Sequence, residues 1–189
     1  MGVAFFELAA RPRYIHTPMT GGPSTMTAFV PDDFEIPAGL DAAGFILRPL
    51  TIHHLVKDFD AVATSTAHLH GLFGPNDDWP EGVTLEQDLV DLGWHQKEFE
   101  LRRSFTYTVM TPDESRCLGC VYIYPCTQKN HDAQVFLWAR QSELADGLEE
   151  TLAAAVKDWL ATLWPFRRVA FPGRDISWPD WLALSSDQD

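Results

Sequence analysis

The sequence predicts one α/β domain built on a mixed, mostly antiparallel sheet, with helices on both faces and a strand–helix–strand crossover near its end. Three observations carry that expectation. Phe105-Thr106-Tyr107-Thr108-Val109 alternates apolar and polar residues, the two-residue period of a half-buried strand. Leu118 to Tyr124 is a nearly continuous apolar and aromatic run, as in a strand covered on both faces, and Ala133 to Ala139 follows it after the turn Lys129-Asn130-His131-Asp132. The period then changes: Leu144, Leu148, Leu152, Ala155, Val156, Trp159, Leu160 and Leu163 recur at helical spacing, before Arg168-Val169-Ala170-Phe171 returns as a short strand.

Taken from the start, residues 1–27 read as a flexible leader, because 11–27 are rich in Pro, Gly, Ser and Thr and carry no periodicity. Residues 28–44 read as extended, proline-punctuated chain lying along the domain surface. Phe45 to Leu50 is the opening strand. A first helix follows on the stripe Ile52, Leu55, Val56, Phe59, Val62, Ala63 and Leu69, with Thr51 as its cap. Leu85, Leu89, Leu92 and Phe99 mark a second helix, whose start Thr84-Leu85-Glu86-Gln87 has the form of a capping box. That helix also carries Asp91, His95, Glu98 and Arg102 in one stripe. The stripe reads first as a solvated ladder of ion pairs, and second as a histidine held by carboxylates and usable as a general base.

Composition narrows the classes. With 189 residues, 46% of them hydrophobic, the chain fits one globular domain. A net charge of −13 repels nucleic acid and anionic lipid, and no apolar run approaches the roughly 20 residues of a membrane span. The N-terminus makes a poor export signal, so the three cysteines are expected reduced, in the cytoplasm. Cys117-x-x-Cys120 with Cys126 and His131 has the residue types of a zinc site, but a strand turns Cys117 and Cys120 to opposite faces; free buried thiols are the expected state. His53, His54, His68 and His70 lie on the first helix without forming a metal pair. No metal is expected.

This order of elements, opened by Phe45-Ile46-Leu47-Arg48-Pro49-Leu50 with its "LRP", resembles the GNAT acyltransferases over roughly residues 45–182, and the domain is assigned to 45–189. The resemblance implies acyl-CoA-dependent transfer of an acetyl group to a small amine. It also implies parallel neighbours at 133–139 and 168–171 that splay apart. Acetyl-CoA would lie against Leu137, Trp138 and Ala139, with its diphosphate on the loop after them. There Gly147 and Ala145 fall on the family's small-residue positions, Ala145, Asp146 and Gly147 would offer backbone N–H groups, and Arg140 or, near the last strand, Arg174 would reach a phosphate. Gly147→Val is expected to abolish that binding with little change in thermal stability.

Two departures keep a second class open, a GNAT-fold binding or assembly module. Leu144 replaces the usual basic residue and Glu149 a small one, and Glu143, Asp146, Glu149 and Glu150 crowd the helix start, where Asp146-Gly147-Leu148-Glu149 also reads as an ordinary cap. For the acceptor, Asp77, Asp78, Trp79 and Glu81 could hold a cation by charge and ring contact. His95 or Glu98 is the candidate base. The family's later tyrosine acid is missing, so Tyr122 and Tyr124 are the candidates for that role, while Tyr107 belongs to the core. A homodimer is an allowed assembly.

Overall fold

A computed structural model describes residues 28–126 and 128–184; the expected leader, 1–27, lies outside them. Six strands form one sheet in sequence order: β1 Leu40–Ala42, β2 Phe45–Pro49, β3 Phe105–Met110, β4 Cys117–Pro125, β5 Ala133–Ala139 and β6 Val169–Ala170. All neighbours are antiparallel except β5 and β6, which run parallel as expected. The helices are α1 Leu55–Ala63, α2 Thr66–Leu69, α3 Leu85–Glu100, α4 Leu148–Leu163 and α5 Trp178–Ala183. None among the described residues is long and apolar enough to cross a membrane.

The sheet is covered on both faces. On one, α4 buries Leu152, Val156, Trp159 and Leu160 against Phe105, Tyr107, Ile123 and Val135. Burying each large aliphatic side chain contributes about 1.5–3 kcal/mol. Trp159 meets the Tyr107 ring edge-on at 5.1 Å. On the other face, Ala61, Val62, Leu69 and Leu92 of α1–α3 lie over Ile46, Cys120, Tyr122, Phe136 and Trp138.

The segment before the sheet is more than a surface ribbon. Val30 is buried in the α4-side core, and Phe29 stacks on Phe105 and Phe166 at 5.6 and 4.9 Å. Arg102, in the left-handed region at φ 58, donates to the carbonyls of Pro31 and Phe34 at 2.7 and 2.8 Å and ties this segment to the end of α3. The Tyr107 hydroxyl donates to the Pro37 carbonyl, and β1 arises inside the same segment.

Four local expectations need correction. The first helix is broken: a 3-10 turn spans Ile52–His54, and Thr64-Ser65 separates α1 from α2. The Thr64 hydroxyl donates to the Asp60 carbonyl at 2.6 Å, a local bond that competes with helix continuation. The capping box of α3 is present, with Gln87 N–H on Thr84 Oγ1 and Thr84 N–H on Gln87 Oε1. Yet α3 is turned about its axis from the expected setting. Leu85 and Leu89 are 45% and 42% exposed, whereas Asp88, Leu92, His95 and Glu98 are buried, so the stripe read as a solvated ladder faces inward. Both rows obey helical spacing; the sheet beneath selects between them, with Thr106 Oγ1 3.0 Å from His95 Nδ1. Cys117 and Cys120 share one core cluster, because the β3–β4 register shifts at Val109/Met110 and breaks the alternation. Finally, α4 begins at Leu148 rather than Leu144, and Asp146 does not cap it.

Candidate functional site

β5 and β6 pair only at Ala133↔Val169 and Gln134↔Ala170, after which the strands part. Arg140 N–H donates to the Leu118 carbonyl on β4, so by strand alternation Val135, Leu137 and Ala139 turn their N–H and C=O groups toward the opposite edge. At the end of that edge stands a carboxylate. Glu149, on the first turn of α4, accepts from Ala139 N–H at 3.1 Å, lies 2.7 Å from His68 Nε2, and takes Arg174 Nη2 at 2.5 Å. Burial alone would raise its pKa, but the Ala139 N–H, Arg174 and His68 together hold it below the ordinary value.

On the α1–α3 face lies a small, partly open cavity of about 10 Å³. Asp58 comes from α1; Asp88, Asp91, Leu92 and His95 come from α3; Leu50, Trp79 and Tyr122 complete it. The three carboxyls lie well away from ordinary solution chemistry. Burial and the neighbouring carboxylates push Asp58 well up, burial and Asp91 push Asp88 up to about 7, and burial alone takes Asp91 to about 6. Asp88 Oδ2 has no hydrogen-bond partner, and Asp58 Oδ1 has the Cys117 thiol only at 3.9 Å. Burial drives His95 down to about 3, which keeps its imidazole neutral and a weak base at physiological pH. Tyr122 links cavity and edge, since Trp138 Nε1 on β5 donates to its hydroxyl at 3.3 Å. The Tyr124 hydroxyl is buried without a partner, and burial pushes its pKa well up.

No protein-family model matches the sequence, and no curated protein matches it. Solved structures do. A ribosomal-protein-S5-alanine acetyltransferase from Vibrio fischeri superposes with a TM-score of 0.56 at 14% identity, covering 70% of this chain and 72% of that one. The Salmonella typhimurium acetyltransferase that modifies the N-terminal serine of ribosomal protein L7/L12 gives 0.56 at 14% identity, covering 72% and 73%. The microcin C7 self-immunity acetyltransferase MccE, solved with acetyl-CoA and AMP, gives 0.53 at 8% identity, covering 68% and 70%. The fold is that of the GNAT acetyltransferases.

On this GNAT frame the residues named from sequence fall into separate places. Leu137, Trp138 and Ala139 form the parting end of β5. The loop beyond them is wound into a 3-10 helix, Gln141–Asp146, closed by Gly147 at φ 72, ψ 24, whose N–H returns to the carbonyls of Glu143 and Leu144. Ala145 and Asp146 are exposed on it. A valine at Gly147 would be strained in the left-handed region, so that substitution costs stability, against the sequence expectation. Arg140 is turned inward onto Asp60 Oδ2 at 2.6 Å and lines, with Lys57 and Arg116, an open cleft of about 260 Å³; Arg174 is held by Glu149.

Of the segment expected from sequence to hold an acceptor, Trp79 reaches the cavity, while the Asp77 carboxylate braces its own turn by accepting from the N–H groups of Phe73 and Trp79. Asp78 and Glu81 are exposed outside it. His95 lines the cavity, whereas Glu98 pairs with Arg103 at 3.7 Å. Among the described residues no group of three or more His, Cys, Asp or Glu is arranged to hold a metal ion. Sequence reasoning missed Asp58 and Asp88. The spacing of Asp88 with Leu92 and His95 was the available signal, hidden because a buried row is expected to be apolar. Glu149 was noticed only as a departure from a loop motif, and its contacts to Ala139, His68 and Arg174 are set by tertiary packing.

Proposed function

We propose that this chain is an acyl-CoA-dependent N-acetyltransferase acting on a small amine. The observation that carries the reading is the edge of β5 that no strand pairs: Leu137 turns its backbone donor and acceptor into the gap left by β6, and the Ala139 N–H there is held by the Glu149 side chain. Unpaired backbone groups inside a domain call for a partner, and an extended arm can supply one. Bound acetyl-CoA would supply an acetyl thioester, from which a neutral amine takes the acetyl group as the C–N bond forms, the C–S bond breaks and the nitrogen sheds a proton to solvent. The backbone N–H groups at this edge are aimed where they can polarise a carbonyl. Tyr124, protonated across the physiological range, and Tyr122, fixed by Trp138, are the hydroxyls available to return a proton to sulfur.

The residues fit acetyl-CoA on one condition. Glu149 holds the Ala139 N–H and the Arg174 guanidinium, two groups that the arm and a phosphate would need, so it must turn away on loading. A small amine is favoured over a protein because the polar cavity on the α1–α3 face is narrow. The net charge of −13 supports the absence of a nucleic-acid partner. Reduced cysteines in the cytoplasm and a homodimer as an allowed assembly belong to the same reading. The Glu149 network itself favours a second reading, a GNAT-fold binding module that no longer takes acyl-CoA.

Calorimetric titration of acetyl-CoA into the wild type and Glu149→Ala decides between them. The transferase reading expects binding to both, tighter to the variant. Binding to Glu149→Ala alone makes the wild type a closed module. Binding to neither overturns the assignment of this edge.

A further inference from the structure

We propose that the cavity between α1, α3 and β4 binds the primary ammonium end of an unbranched aliphatic amine, held by Asp58, Asp88 and Asp91 under the ring of Trp79. The site depends on the acyl-transfer reading only for what later happens to the amine. Three carboxylates from two helices converge on one small space. Asp58 and Asp88 are buried and Asp91 is half-buried; buried acids are ordinarily paired, yet none of these three joins an ion pair among the described residues. Asp88, only 5% exposed, directs an oxygen without any partner into the cavity.

No cation is built in to answer them. The other ionisable groups facing the carboxylates are His95 on α3 and Cys117, Cys120, Tyr122 and Tyr124 on β4, none of them positive at neutral pH. Arg140, beside Cys117, is committed to Asp60. Where these carboxyls ionise, the positive partner comes from outside. A metal is a poor candidate, since these groups are not arranged as metal ligands.

Size and lining narrow the class further. A space of about 10 Å³ admits one water-sized group, which an –NH₃⁺ head matches and a trimethylammonium head exceeds. Three N–H donors suit three carboxylates. Leu50 and Leu92 complete the lining around the head, the alkyl chain leaves through the open side, and the Trp79 ring adds cation–π attraction. The exposed Asp78 and Glu81 near Trp79 extend the same negative field outward and favour the approach of a cation. The setting of α3 points the same way. Purely structural packing would bury Leu85 and Leu89, yet these stay exposed while the helix buries acids, a local violation of the kind that functional sites retain.

The test is calorimetry of the full chain with n-butylamine, 1-butanol and butyltrimethylammonium, above neutral pH so that the carboxylates can ionise. Butylamine should bind alone among the three. Asp88→Asn and, as an independent second variant, Asp91→Asn should each weaken it about 10–100-fold, with circular dichroism confirming the fold. Equal binding of butanol or the quaternary amine, unchanged butylamine affinity in both variants, or no butylamine binding at millimolar concentration would overturn the proposal. The two readings separate cleanly. Amine binding without acetyl-CoA binding leaves this site standing and removes the transferase, whereas acetyl transfer with amine affinity unchanged in both variants does the reverse.

Discussion

Replacing Asp88 by asparagine should stabilise the protein at alkaline pH relative to acid pH. The wild-type carboxyl keeps 5% of its surface, and burial, with a smaller contribution from Asp91, lifts its pKa from 3.8 to about 7. A carboxyl whose folded pKa exceeds its unfolded value favours the folded state while protonated. That stabilisation is complete below the unfolded value and is lost as pH rises toward and through the folded one. At about 1.36 kcal/mol per unit, the wild type loses roughly 2.6 kcal/mol between about pH 5 and about pH 8. Solvent screening through the cavity mouth trims this to about 2 kcal/mol. Asparagine does not titrate, so any fixed cost of its amide cancels in the comparison. Urea unfolding of both proteins at the two pH values measures the difference directly, and in melting temperature it corresponds to about 4–8 °C for a domain of this size. A variant-minus-wild-type stability that is the same at both pH values would refute the burial argument for Asp88.

Two further substitutions test the backbone that frames the gap. A Cβ on Gly119 would stand 2.0 Å from the Trp138 carbonyl oxygen in the paired strand β5, so Gly119→Ala should cost about 3 kcal/mol or more; a melting temperature equal to wild type would contradict the close approach. Gly147→Val places a β-branched residue at φ 72 and should cost about 1–2 kcal/mol, read as a fall of several degrees in thermal unfolding whether or not any cofactor is present.

Much of the framework could be read from residue order alone, and the reasons are local. The alternation of β3, the apolar run of β4 and the spacing of Leu148 through Leu163 each report burial that their own residues demand. Thr84 and Gln87 satisfy each other within one turn, so their capping box needs no tertiary context. The site was harder because its decisive contacts are long-range. Glu149 meets His68 across 81 positions and Arg174 across 25. The inward turn of α3 depends on Thr106 and Tyr122 of the sheet accepting His95 and its acidic neighbours. Sequence spacing supplies two candidate rows on that helix, and the hydrophobic one is the natural choice until the sheet is in place.

The register shift that brings Cys117 and Cys120 to one side of β4 has a practical consequence for anyone wishing to watch this protein breathe. Both sulfurs are fully covered; burial pushes the Cys117 thiol up to about 12 and the Cys120 thiol well up, so neither offers thiolate to an alkylating reagent. Cys126 is only partly covered. Iodoacetamide added to the native chain therefore marks one sulfur promptly and the other two only when the seam between α1 and β4 comes apart. Counting alkylated sulfurs by intact mass over time turns the three native cysteines into a clock for opening that seam, with no probe introduced.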